Sequence, residues 1–186
     1  MRPKTKRMGG ASVGWLRRGG VGVLACAAAL AALIAVPMTG SANNDPHRIF
    51  NPPSSGTLSG LCSFPIYYSQ TSKEYSTVTT EPDGSTVVKT EGSLRVTYTN
   101  EKTGTSITVN NSGPGTAVFP PSGTVVSFEY EGLSGLGGYN LTTFGFPSDL
   151  VVTSGLFQFT YDYTTQLVVS VTRMPHVVLD ICAALS

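Results

Sequence analysis

Stretches in which apolar and polar residues alternate one for one recur from Gly60 to the end of the chain, separated by Gly, Pro, Asn and Asp. The clearest are Leu94-Val96-Tyr98, Ile107-Val109, Val126-Phe128-Tyr130, Phe157-Phe159-Tyr161-Tyr163 and Leu167-Val169-Val171. A period of two places successive side chains on opposite faces, so each stretch predicts a strand with one face in a core and one in water. Weaker strands are expected at Ile66 to Gln70, Ser76 to Thr80, Thr86 to Thr90, Leu150 to Thr153 and Val177 to Asp180. The turns agree, because Glu81-Pro82-Asp83-Gly84 and Glu101-Lys102-Thr103-Gly104 carry residues that tolerate tight or left-handed geometry. About ten short strands in residues 61–186 predict an all-β domain, a single antiparallel sandwich or a flattened barrel.

One segment departs from this pattern without being simply polar. From Gly132 to Ser148, Leu133, Leu136, Tyr139, Leu141, Phe144 and Phe146 are spaced by Gly135, Gly137, Gly138 and Gly145. A loop of this length is a lid, a binding element or a cover for the open end of the domain. Tyr139, Phe144 and Phe146 are the candidate contact residues, since aromatic side chains dominate binding hot spots. The window Val87 to Thr99 also faces Leu150 to Asp162 at an offset of 63, with Gly92 matching Gly155. A bulge or bend is expected at both glycines.

Upstream of the domain the chain changes character. Arg2, Lys4, Lys6, Arg7, Arg17 and Arg18 precede the uncharged run Val21 to Val36, which breaks at Pro37 before Gly40-Ser41-Ala42. That is the pattern of an export signal over residues 1–42, with cleavage expected after Ala42. The alternative is an uncleaved membrane anchor, although seven of the sixteen positions in the run are the weakly apolar alanine. Arg17-Arg18 leaves both the general and the twin-arginine export routes open. Cys26 would leave with the signal. Asn43 to Gly60, rich in Asn, Pro, Ser and Gly, is expected to be a flexible tether.

Removing the signal alters the charge. The whole chain stands at +1, but beyond residue 42 six bases face eleven acids, 6 − 11 = −5. A negative, lysine-poor surface argues against nucleic acid, and against an anionic membrane after cleavage. Cys62 and Cys182 then remain as the only pair, and an exported chain with two cysteines is expected to join them.

Candidate chemistry is sparse. His47 lies in the expected tether, which leaves His176 alone to carry a triad or a metal site, so no metal and no cofactor is expected. Glu129 and Glu131 alternate with Phe128 and Tyr130 on an outer strand face, and Asp162 lies on another, the raw material of a glycosidase pair. Two functions follow. The first is an exported, non-catalytic binding or cell-surface module for an extracellular or envelope ligand. The second is a secreted hydrolase of envelope polysaccharide using those outward carboxylates.

At Gly60-Leu61-Cys62-Ser63-Phe64-Pro65, Thr99-Asn100-Glu101-Lys102-Thr103-Gly104, Ser112-Gly113-Pro114-Gly115 and Leu179-Asp180-Ile181-Cys182-Ala183-Ala184-Leu185, the chain resembles a group of small exported actinobacterial proteins with a cysteine near each end of a β-rich domain. The resemblance runs from about Gly60 onward. It implies export and the terminal cysteine pair, and it brings no activity or catalytic residue.

Overall fold

The computed structural model describes residues 47–138 and 140–186, and in them the alternating stretches become twelve strands in antiparallel sheets. Strands β1 (His47–Asn51) and β2 (Ser55–Leu58) come first. A long hairpin follows, β3 (Ile66–Thr80) and β4 (Thr86–Asn100), fifteen residues each and paired in register throughout. Next are β5 (Ser106–Asn110), β6 (Gly115–Phe119), β7 (Val125–Tyr130) and β8 (Ser134–Gly137). After a 3-10 turn at Leu141–Phe144 come β9 (Leu150–Ser154), β10 (Phe157–Asp162), β11 (Leu167–Arg173) and β12 (His176–Asp180). A one-turn helix, α1 (Ile181–Ala184), closes the chain, with the Asp180 carboxylate accepting the Ala183 N–H.

Nine strands form one sheet in the order β1-β3-β4-β6-β7-β10-β11, with β2 added to β3 and β5 to β4. The other three form a small sheet, β12-β9-β8. The buried side chains divide into two clusters. One holds Val88, Ala117, Phe128, Tyr130, Phe157 and Phe159 together with Val151 of β9. The other holds Leu58, Ile66, Leu94, Val96, Ile181 and Leu185 together with Leu150 and Val152 of β9. Successive β9 side chains point to opposite faces, so this middle strand of the small sheet is buried on both sides, one face in each cluster.

The β3–β4 hairpin lines both clusters and bends between them. Gly92 has φ +130, and a Cβ there would lie 2.3 Å from the Lys73 carbonyl oxygen. Only glycine fits that close approach. On the inner side of the bend the apolar alternation lapses into a buried polar seam of Ser72, Glu74, Ser76 and Thr90, joined by Asn51 from β1. The Asn51 amide donates to Ser76 Oγ at 2.9 Å, and Ser76 and Thr90 share a hydroxyl bond of 2.8 Å. Glu74, 4% exposed, has a carboxyl that receives no hydrogen bond from the described residues, and burial pushes its pKa up to about 7.

Three expectations need correction. Residues 47–58, read as tether, form β1 and β2 from their first described residue; Asn51 is drawn into the polar seam and Leu58 into the second core. Tertiary burial overrides the turn-forming composition there. The stretches expected as separate short strands before and after residues 71–75 are one strand, β3, and the same is true of β4 across Gly92. In β11 the buried residue is Val168, whereas Leu167 and Val169 face out. Residues 1–46 lie outside the described residues, and with them the expected signal, its cleavage site and the start of the tether.

Cys62 and Cys182 are joined by a disulfide across 120 residues, with Cα atoms 5.4 Å apart. It ties the approach to β3 to α1, whose Ile181 and neighbouring Leu185 are fully buried in the second cluster. The Asn100 amide fastens the same end by donating to the Leu185 carbonyl at 2.8 Å.

Candidate contact surface

The glycine-rich segment from Gly132 to Ser148 is a cover before it is a contact surface. Its Leu136, Leu141 and Phe146 are buried in the first cluster, Phe146 meets Phe157 edge-to-face with centroids 5.7 Å apart, and Phe144 packs half-buried against the same cluster. Phe146, 4% exposed, is a core residue with little surface left for a ligand. Tyr139 lies outside the described residues. Of the described large apolar side chains in this segment, Leu133 is the one that stays exposed.

The exposed apolar surface gathers elsewhere. Among the described residues nine large hydrophobic side chains are exposed, and five of them, Leu167, Val169, Met174, Val177 and Val178, fall within β11, the Met174-Pro175 link and β12. Each of these strands is the last of its sheet, so the link joins two free edges. Solitary exposed aliphatics are ordinary, but a run of them along two strand edges marks an interaction surface.

Bulges make this margin protrude. In β11 the register against β10 skips Val169 and Thr172, and in β12 the register against β9 skips Val178. A bulged residue is left out of the ladder and turned aside. Val169 and Val178 are accordingly 54% and 52% exposed. Charge is thin here: from Leu167 to Asp180 the sequence holds only Arg173, His176 and Asp180.

The carboxylates considered for hydrolysis are differently placed. Asp162 ends β10 and accepts the Thr124 hydroxyl and the Thr164 N–H, each at 2.8 Å, and the Thr165 hydroxyl at 3.1 Å. These bonds lower its pKa and make it the organiser of the β10–β11 turn. Glu129 accepts the Gln158 side-chain amide across the β7–β10 pair. Asp162 lies opposite Val125, four residues along β7 from Glu129, which at about 3.3 Å per residue is roughly 13 Å. Paired glycosidase carboxyls stand about 5–9.5 Å apart. His176 opens β12 on the exposed margin, and among the described residues no group of three His, Cys, Asp or Glu could hold a metal ion.

Sequence reasoning missed the margin because Leu167-Val169-Val171 alternates as a core face does, and only the bulges turn two of its members outward. Comparisons with protein-family models, with curated proteins and with solved structures found no match to this chain.

Proposed function

We propose that the chain is an exported, non-catalytic binding or cell-surface module that makes its contacts through the β11–β12 margin. The carrying observation is the gathering of exposed aliphatic side chains on two adjoining free strand edges. Three further features support the reading. The disulfide suits an oxidising, extracellular setting. Among the described residues no helix is long and apolar enough to cross a membrane. The resemblance to small exported actinobacterial proteins points to export as well.

Two measurements on cells secreting the protein test it. N-terminal mass analysis of the mature form should begin at Asn43. Replacing Val169 and Met174 by lysine should strip a co-purified partner or release the protein from the envelope fraction, with the melting temperature unchanged. Retention equal to the original protein's would remove the margin as the contact surface.

A further inference from the structure

We propose that the outer face of β1, β3 and β4 binds an acidic polysaccharide, one whose sugar rings carry carboxylates. This is a second contact surface, independent of the β11–β12 margin, since β1 and β11 stand at opposite ends of the large sheet.

The negative balance of the domain is unevenly spread. Of the six bases beyond residue 42, Arg48, Lys73, Lys89 and Arg95 stand exposed on this one face. Pairing gathers them: Arg48 and Lys89 both lie opposite Thr77, Arg95 lies opposite Thr71, and Lys73 comes between those two positions along β3. Opposed residues of an antiparallel pair share a face, as do residues two apart in a strand. The registers of β3 with β1 and with β4 run without a shift, so Lys73 and Tyr75 look outward while Ser72, Glu74 and Ser76 are buried. Among the described residues of these three strands the one outward acid is Glu91, so the face carries 4 − 1 = +3, against 2 − 10 = −8 for the rest of the sequence beyond residue 42. Glu129, on the same side two strands beyond Lys89, accepts the Gln158 amide.

The layout of the patch selects its ligand. The positions at Thr71 and Thr77 are six residues apart, about 20 Å of strand at about 3.3 Å per residue. No single small anion reaches across that, so the charge matches an extended polyanion. Between the bases lies an aromatic step. Phe50, 46% exposed, packs on Tyr75 with ring centroids 5.4 Å apart, and the Arg48 guanidinium lies 4.3 Å from the Tyr75 centroid. The C–H face of a sugar ring is apolar and stacks on such a ring, while the flanking guanidinium and ammonium groups take its carboxylates. Duplex DNA or an acidic peptide matches the charge but offers Phe50 no sugar face. The pair between Arg48 and Glu91, at 3.5 Å with both side chains more than half exposed, is a weak surface contact that a ligand carboxylate can replace.

The test uses the secreted protein with its disulfide intact, run through native gels that contain polygalacturonate as the acidic polysaccharide or dextran as an uncharged one. Polygalacturonate should retard the protein and dextran should not, and the apparent affinity should fall at least tenfold between about 0.05 and about 0.5 M salt. Lys89→Glu should weaken binding at least fivefold, whereas Lys102→Glu, an equal change of net charge away from this face, should alter it less than twofold. Phe50→Ser should weaken it at least threefold while keeping the salt dependence, and Glu91→Gln should tighten it, all with melting temperatures unchanged. Absence of retardation by polygalacturonate at low salt, or equal losses from Lys89→Glu and Lys102→Glu, overturns the site. Equal or tighter binding of duplex DNA or polyglutamate, with Phe50→Ser indifferent, overturns the polysaccharide as its occupant.

Discussion

The side-chain amide of Asn140 accepts the N–H of Val168 at 3.0 Å and donates to the carbonyl of the same residue at 2.7 Å. One side chain thus makes both bonds that a neighbouring strand would make at that point. Natural sheets cover their free edges in several ways to prevent uncontrolled pairing, and here a residue beside the 3-10 turn covers the first half of β11. Leu167 and Val169 stay exposed on either side of this plug.

Replacing Asn140 by alanine should cost about 1–2 kcal/mol, the worth of two hydrogen bonds in part-buried surroundings. The specific readout is amide hydrogen exchange, in which Val168 should lose protection while its β10 partner Tyr161 keeps it. Unchanged exchange at Val168 would show that the plug is not what shields the edge.

Glu74 makes stability depend on pH in the direction opposite to that of most carboxylates. Its folded pKa of about 7 lies above the ordinary 4.5, so the folded state holds the proton more tightly than the unfolded chain does. Its contribution is complete below pH 4.5 and is lost as the pH rises through 7. Glu74→Gln should therefore raise the melting temperature at pH 8, by an amount corresponding to at most about 3 kcal/mol, and change little at pH 4. Equal effects at both pH values would place the carboxyl in water.

The two glycines matched in the sequence should differ under the same substitution. Gly92→Ala drives a Cβ against the Lys73 backbone at 2.3 Å at a φ of +130, whereas Gly155, with φ +92, has open space around the new atom. Gly155→Ala should cost about 1 kcal/mol for the left-handed backbone alone. Gly92→Ala should exceed that by several-fold, because strand β3 must move. Chemical denaturation of the two variants compares them directly, and equal losses would mean the bend yields.

Phe146→Ala should cost about 3–5 kcal/mol, as expected for a buried aromatic ring. Phe144→Ala, at a half-buried position, should cost less than half as much. Thermal melts of both variants measure how far the glycine-rich segment is structural, and a Phe146 variant as stable as the original would return that residue to the surface.

Much of the fold was legible from alternation. Val126-Phe128-Tyr130 and Phe157-Phe159-Tyr161 are the buried faces of β7 and β10 as read, and Leu94-Val96-Tyr98 is that of β4. Where alternation misled, a physical cause is visible. In β9, Leu150, Val151, Val152 and Thr153 are all buried, so a strand with a core on each side has no polar face to alternate with. The polar seam at Ser72 and Glu74 cut β3 into two apparent pieces. Gly92 and Gly155 bend the backbone alike, yet β4 continues through its bend in one sheet while β9 and β10 belong to different sheets, a distinction that pairing partners decide and local sequence does not. The contact margin was hidden for a related reason. Bulges depend on the register with a neighbour, so Val169 and Val178 read as strand interior until that register is known.

The double burial of β9 has a consequence for the order of events during synthesis. Its neighbours in the small sheet are β8, a short way upstream, and β12, near the end of the chain, and the second core is completed by Ile181 and Leu185 beyond that. A growing chain therefore cannot finish this strand's surroundings until residues 176–185 have left the ribosome. Up to that moment Leu150 and Val152 lack part of their cover, and contacts of such long sequence separation form slowly. Locking into the final state therefore waits for residues 176–185 to arrive.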